Sequence, residues 1–194
     1  MKIVYAATPE ISISCLEKLL NSSHELSLIL TMPDKPSGRG KKLIPGPIKK
    51  YCIENSLPFI QPENLNNFDL ENKLKEIAPD LLVVFAYGKI IPKKIFELPT
   101  HGSINIHTSL LPSYRGAAPI QRAIINGEKF SGITFMKLSE GLDEGPILEY
   151  FEMAIEDDDT AGTLADKMAK VSSNKIIQTI DNIELNNYVT TEQD

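Results

Sequence analysis

Short apolar segments alternate along this sequence with segments whose apolar residues recur at helical spacing. The most apolar segment, residues 80–86, has the composition of a strand buried on both faces of a parallel sheet. Similar segments at 2–7, 26–31 and 103–107 are separated by helix-like stretches such as residues 9–20. This alternation predicts an α/β fold, with an open, mostly parallel Rossmann-like sheet and helices on both faces.

Long apolar runs are missing from the sequence. The longest, residues 81–87, falls far short of the ~20 residues that a membrane-spanning helix needs. Pro9 interrupts the N-terminal apolar stretch before it reaches the length of a signal peptide. The two cysteines, Cys15 and Cys52, fit neither a disulfide framework nor a metal-ligand spacing. We therefore expect a cytoplasmic protein that has no contact with a membrane.

Charge is distributed unevenly. The formal net charge is −6, yet residues 31–50 contain six basic side chains and a single acid, together with seven glycines and prolines. This composition predicts a long basic loop over residues 32–50. Its Arg39, Lys41 and Lys42 are suited to contact a nucleic-acid phosphate backbone. A solvated charged loop is the alternative interpretation.

The first strand does not lead into a dinucleotide site. Binding of NAD or FAD by an α/β sheet requires a glycine-rich turn directly after that strand. Residues 6–10 read Ala-Ala-Thr-Pro-Glu and contain no glycine. Function is therefore expected elsewhere along the carboxyl ends of the strands.

Polar residues that could take part in catalysis concentrate between positions 102 and 146. Asn105 and His107 alternate with two isoleucines, so both polar side chains lie on the same face of a predicted strand. Histidine titrates near neutrality and asparagine donates to an oxyanion without titrating, which together suit acyl transfer. Asp143 lies in a loop between two glycines and is a third candidate. Since no serine or cysteine elbow lies nearby, direct transfer between two bound substrates fits better than a covalent intermediate.

Each of these residues also has an ordinary structural interpretation. A strand Asn or His is commonly a hydrogen-bonded structural residue, and Asp beside Gly is common turn chemistry. Asn105, His107 and Asp143 make a weak ligand set for zinc, because they offer one imidazole and one carboxylate. We therefore expect no metal.

Four polar or glycine-containing segments stand out, at residues 105–107, 109–112, 114–121 and 141–145. Together they resemble the formyltransferase family that uses 10-formyltetrahydrofolate. The resemblance runs from Met1 to about Ile183. Within the family, the basic stretch 34–42 resembles the inserted loop of the members that formylate methionyl initiator tRNA, which contacts the tRNA acceptor arm.

The resemblance implies roles for individual residues. It makes Asn105, His107 and Asp143 the catalytic trio and Arg39, Lys41 and Lys42 the tRNA-binding residues. The folate-binding stretch of the family matches Ser109, Leu110, Leu111 and Pro112. The implied reaction moves a formyl group from 10-formyltetrahydrofolate, a donor co-substrate, to the α-amine of methionyl initiator tRNA for translation initiation, and the expected enzyme is a monomer.

The domain prediction follows from the same resemblance. Residues 1–183 are expected to form the catalytic domain, and residues 184–194 the start of a linker to a C-terminal barrel domain that this chain lacks. Three alternatives stay open. They are a formyltransferase acting on glycinamide ribonucleotide or an amino-sugar nucleotide, a formyltetrahydrofolate hydrolase, and a non-catalytic fragment that binds folate or tRNA.

Overall fold

The computed structural model describes residues 1–37 and 42–194, and only the backbone at positions 37 and 42. Arg39 and Lys41 therefore lie outside the described residues, and Lys42 is described by its backbone alone.

Nine strands are present in the described part of the chain. They are β1 Lys2–Ala7, β2 Glu25–Leu30, β3 Lys35–Ser37, β4 Lys42–Ile44, β5 Phe59–Ile60, β6 Leu81–Phe85, β7 Ser103–His107, β8 Phe130–Lys137 and β9 Ile147–Ala154. Seven of them form one sheet in the order β5-β2-β1-β6-β7-β8-β9. The pairs from β5 to β7 are parallel, whereas β8 and β9 are added in antiparallel orientation. The predicted open, mostly parallel sheet is confirmed.

Six α-helices accompany these strands within the same described ranges. They are α1 Ile13–Leu20, α2 Pro47–Glu54, α3 Phe68–Ile77, α4 Lys93–Phe96, α5 Pro119–Ile125 and α6 Ala161–Glu184. Thr160 caps α6 through a reciprocal pair of hydrogen bonds with Thr163. Asn67 caps α3, which ends at Ala78 in the left-handed conformation, directly before a proline. Every helix among the described residues is too short or too polar to span a lipid bilayer.

Different helices cover the two faces of the sheet. On one face, α1, α2, α5 and α6 pack against buried residues of β1, β6, β7 and β8. On the other face, α3 and α4 pack against β2, β1 and β6. Ile104 and Ile106 of β7 belong to the first cluster. Because side chains alternate along a strand, Asn105 and His107 point to the opposite face.

The basic segment has more structure than expected. Strands β3 and β4 pair in antiparallel orientation inside the range predicted as loop, with Lys35 opposite Ile44. Helix α2 follows from Pro47, where the sequence predicts a helix over residues 47–55. Lys49 of α2 donates to Asp34 at 2.6 Å. This hydrogen bond lowers the pKa of Asp34, the segment's single acid. The hairpin is thereby tied to the helix that follows it.

Two other elements differ from the sequence prediction. Residues 10–12, predicted as helix, form a 3₁₀ turn before α1. The four-residue helix α4 was not predicted, because a single turn has too few residues to show a helical period. The apolar spacing from Thr160 to Ile183 predicts one or two closing helices, and the single helix α6 confirms it.

Residues after α6 turn back along the sheet. Thr191 and Ile147 exchange two backbone hydrogen bonds of 2.8 Å, which extends β9 by one antiparallel bridge. The segment predicted as the start of a linker therefore contacts the sheet.

Core packing leads to a first prediction. Ile176 of α6 is fully buried, so replacing it with alanine should lower the free energy of unfolding by ~2–5 kcal/mol. The matched control is Ile125→Ala in α5, where the side chain is 81% exposed and the change should stay within ~0.5 kcal/mol. Urea unfolding of both variants measures the difference. Equal losses in the two variants would contradict the described core.

Candidate active site

A cleft of about 550 Å³ lies beside the carboxyl ends of β6 and β7. Its walls come from four stretches of chain, namely residues 84–91, 105–108, 116–119 and 136–143. Asn105, His107 and Asp143, the predicted catalytic residues, all line it. The structure thus brings together two residues of one strand and a third that is 36 positions further along the chain than His107.

His107 has a polar neighbour at each ring nitrogen. Its Nε2 lies 3.0 Å from the carbonyl oxygen of Tyr114. A carbonyl only accepts, so we assign the hydrogen of the neutral ring to Nε2. Nδ1 lies 3.6 Å from Oδ2 of Asp143 and is the nitrogen available to gain a proton. The hydrogen bond at Nε2 thus orients the imidazole so that Nδ1 faces Asp143.

Asp143 connects the two other residues. Its Oδ2 accepts a 2.8 Å hydrogen bond from the backbone amide of Gly116, and its Oδ1 accepts a longer one of 3.4 Å from Nδ2 of Asn105. The Asp143 side chain is 15% exposed and that of His107 is 7% exposed. Because water is largely excluded from both side chains, the attraction between the Asp143 carboxylate and a protonated His107 imidazole would be stronger here than on an exposed surface.

Residues with positive φ cluster around the cleft. They are Ala86, Gly88, Tyr114, Gly116, Ala118 and Asp143, with φ between 50° and 95°. Outside glycine, such a conformation costs ~1–3 kcal/mol and persists only where surrounding contacts enforce it. In the loop after β7, these turns direct the Tyr114 carbonyl to His107 and the Gly116 amide to Asp143. The strained backbone therefore supplies two of the contacts that fix the predicted catalytic residues.

The predicted folate-binding stretch lies beside the cleft and is not part of its lining. Ser109 is fully buried, and its hydroxyl donates to the carbonyl of Ser113 at 2.6 Å. Leu111 donates its amide to Thr134 of β8, and the peptide bond between Leu111 and Pro112 is cis. Leu110 packs over Gly132, also on β8. In this structure the four residues shape the loop that follows His107.

The candidate tRNA-binding residues are separate from the cleft in sequence. The hairpin of β3 and β4 that flanks them lies between β2 and α2, and Arg39 and Lys41 fall outside the described residues. Leu43 and Ile44 on the described arm of the hairpin are exposed.

Comparison with known proteins assigns the family. A family model described as formyl transferase matches residues 1–180. The chain belongs to the formyl transferase family. The methionyl-tRNA formyltransferase of Thermodesulfovibrio yellowstonii is 49% identical over 179 residues, which cover 92% of this chain and 58% of that protein. This chain therefore spans less than two thirds of the length of such a relative.

Solved structures with the same fold include formyl transferases of other kinds. The phosphoribosylglycinamide formyltransferase of Bacillus halodurans superposes with a TM-score of 0.75 at 23% identity, covering 95% of each chain. A sugar N-formyltransferase of a Shewanella species gives a TM-score of 0.72 at 19% identity, covering 98% of this chain and 72% of the other. At these identities the likeness shows the formyl transferase fold alone.

Several groups of the site were not identified from the sequence. The Tyr114 carbonyl and the Gly116 amide are backbone atoms, which no side-chain pattern reveals. Gln193, near the C-terminus, donates to the backbone carbonyl of Asp143 at 3.1 Å. The glycine at position 116 was the one signal visible in the sequence, since its φ is positive and glycine adopts that conformation readily.

The close approach of the Asp143 loop to β8 leads to a second prediction. A Cβ added at Gly145 would overlap the carbonyl oxygen of Lys137, so Gly145→Ala must displace the loop. We expect it to lower the free energy of unfolding by ~1–3 kcal/mol, the usual cost of overpacking. Gly162→Ala is the control, because its nearest neighbour outside the helix backbone would be 3.6 Å away. Urea unfolding compares the variants, and equal stability of the two would refute the described loop position.

Proposed function

We propose that this chain carries the formyl-transfer centre of an enzyme that formylates the α-amine of methionyl initiator tRNA, with 10-formyltetrahydrofolate as donor. The mutual contact of Asn105, His107 and Asp143 at one cleft carries this proposal. The choice of acceptor rests on the methionyl-tRNA formyltransferases that are 42–49% identical to this chain.

The cleft fits a donor of this kind by size and lining. Its volume of about 550 Å³ lies within the ~300–1,000 Å³ usual for small-molecule sites. Apolar side chains form much of the wall and suit a flat ring system; they include Val84, Ile90, Ile91, Met136 and Leu138. Backbone groups of residues 86–88 and 139–141 also line it and offer donors and acceptors for ring heteroatoms.

Asn105 and His107 are placed to stabilise negative charge. When the acceptor amine forms its bond to the formyl carbon, the formyl oxygen becomes an oxyanion. The Nδ2 group of Asn105 and the protonated Nδ1 of His107 donate to that oxygen. Because Nε2 of His107 is engaged with Tyr114, Nδ1 is the ring nitrogen that performs this role.

Asp143 is placed to move the proton. The attacking amine must lose a proton, and the N10 leaving group must gain one as its bond to the formyl carbon breaks. The Asp143 carboxylate accepts the first and returns it to N10, directly or through water. The Gly116 amide holds the carboxylate in place during the transfer.

We also propose that residues 109–112 serve the folate site and that Arg39, Lys41 and Lys42 contact tRNA phosphates. Lysine and arginine supply most of the affinity for a phosphate backbone and position the nucleic acid without reading its sequence. A monomeric state and a cytoplasmic location stay predictions.

The catalytic role of Asp143 gives a third prediction. Asp143→Asn keeps the shape of the side chain but removes the proton acceptor, so the single-turnover rate of formyl transfer should fall by ~10²–10⁴-fold. Asp157→Asn is the control, because its side chain is 99% exposed. An unchanged rate in the Asp143 variant would exclude the proposed role.

The basic segment gives a fourth prediction. Arg39→Ala should weaken binding of methionyl initiator tRNA, leave folate binding intact, and lower the slope of log affinity against log salt by about one unit. Lys129→Ala, which removes a 76% exposed lysine beside β8, serves as the control. Identical salt slopes for wild type and Arg39→Ala would argue against a phosphate contact.

The acceptor is tested directly by offering three amines. Formyl transfer from 10-formyltetrahydrofolate is measured with charged initiator tRNA, glycinamide ribonucleotide and an amino-sugar nucleotide, with Asn105→Ala as the blank. Transfer to tRNA that the blank lacks supports the proposal. Transfer only to another amine, release of free formate, or folate binding without turnover would replace it with one of the alternatives.

A further inference from the structure

The C-terminal segment, residues 186–194, lies against the loop that carries Asp143. Thr191 pairs with Ile147 at the start of β9, through both backbone hydrogen bonds. This pairing brings Gln193 next to the loops on either side of the catalytic residues. Its side chain is partly buried there, although the residues around it in the segment are exposed.

Gln193 uses both ends of its amide. Nε2 donates to the carbonyl oxygen of Asp143 at 3.1 Å and to that of Gly145 at 2.7 Å. Oε1 accepts from Nε and Nη2 of Arg115, at 3.0 and 2.8 Å. A single neutral side chain thus connects the Asp143 loop to the loop that follows β7.

Both connected loops carry contacts of the proposed catalytic residues. Arg115 lies between Tyr114, whose carbonyl accepts from His107, and Gly116, whose amide donates to Asp143. Asp143 itself has a φ of 54°, which a non-glycine residue keeps only when its surroundings enforce it. Gln193 binds the carbonyl of that same residue and is therefore one of the enforcing contacts.

We infer that Gln193 is a positioning residue, which fixes the carboxylate of Asp143 by holding the Asp143 loop and the Arg115 loop together. The inference rests on the proposed function for the role of Asp143, but the position of the loop is a separate property. Gln193 lies outside the cleft lining and acts through the backbone of Asp143.

A single substitution can remove the contacts of one end of the amide and keep those of the other. Gln193→Glu keeps the length of the side chain and leaves Arg115 a carboxylate partner. It replaces the donor with an acceptor that faces two carbonyl oxygens, so both contacts to the Asp143 loop are lost. Gln193→Ala removes all the contacts. Glu192→Gln, an exposed neighbour, is the matched control.

The experiment compares these variants in the full chain by formyl-transfer kinetics and by amide hydrogen exchange. We expect kcat to fall by up to ~10²-fold in Gln193→Glu and Gln193→Ala, with a much smaller change in the KM for the donor, because a misplaced catalytic group slows chemistry. Exchange should rise in residues 139–146 in both variants. Glu192→Gln should match wild type in both measurements.

The outcomes distinguish this inference from the proposed function. Unchanged kcat in Gln193→Glu, at a temperature where the variant is fully folded, overturns the inference even if Gln193→Ala is unstable. If the wild-type protein transfers no formyl group, the proposed function fails and the exchange measurement decides. Faster exchange of residues 139–146 then supports the positioning role of Gln193, and unchanged exchange overturns it.

Discussion

The packing of Ile104 and Ile106 against the helices on one face of the sheet is the constraint on which the site depends. Both side chains are nearly or fully buried in the cluster that includes α1, α5 and α6. Their burial fixes the register of β7, because a slip of one residue would move them to the opposite face. Asn105 and His107 therefore face the cleft as a consequence of core packing. The buried apolar face of the strand thus determines where its two polar side chains lie.

Strand β7 alone does not complete the site. The third residue, Asp143, comes from an irregular loop after β8, and its carboxylate reaches the strand only because backbone turns on two loops direct it there. In these turns, residues such as Tyr114, Ala118 and Asp143 keep a costly left-handed conformation. The packing of the sheet thereby offsets the conformational cost of the loops. This division, with a rigid strand and enforced loops, is the usual basis of a preorganised site.

The sequence was sufficient to predict the features that short-range periodicity controls, such as the position of a strand and the face on which its side chains lie. Strand β7 begins and ends at the predicted residues, and the shared face of Asn105 and His107 follows from the alternation of side chains along a strand. It was insufficient for features that depend on contacts between distant residues. No periodic signal marks three such features, which are the pairing of β3 with β4, the pairing of Thr191 with Ile147 and the contacts of Gln193. Asp143 was a candidate from its place between two glycines, but the role proposed for it came from the family resemblance, since Asp beside glycine is also ordinary turn chemistry.

The contacts that hold the site share one property, which is that they do not titrate near neutrality. Asn105 and Gln193 contribute amides, and Tyr114 and Gly116 contribute backbone atoms. In the proposed reaction, His107 and Asp143 are the groups that carry or move protons. A framework of fixed donors and acceptors lets these two change protonation without losing the contacts that orient them. Such a site keeps one geometry through the proposed formyl transfer, in which a proton must also move.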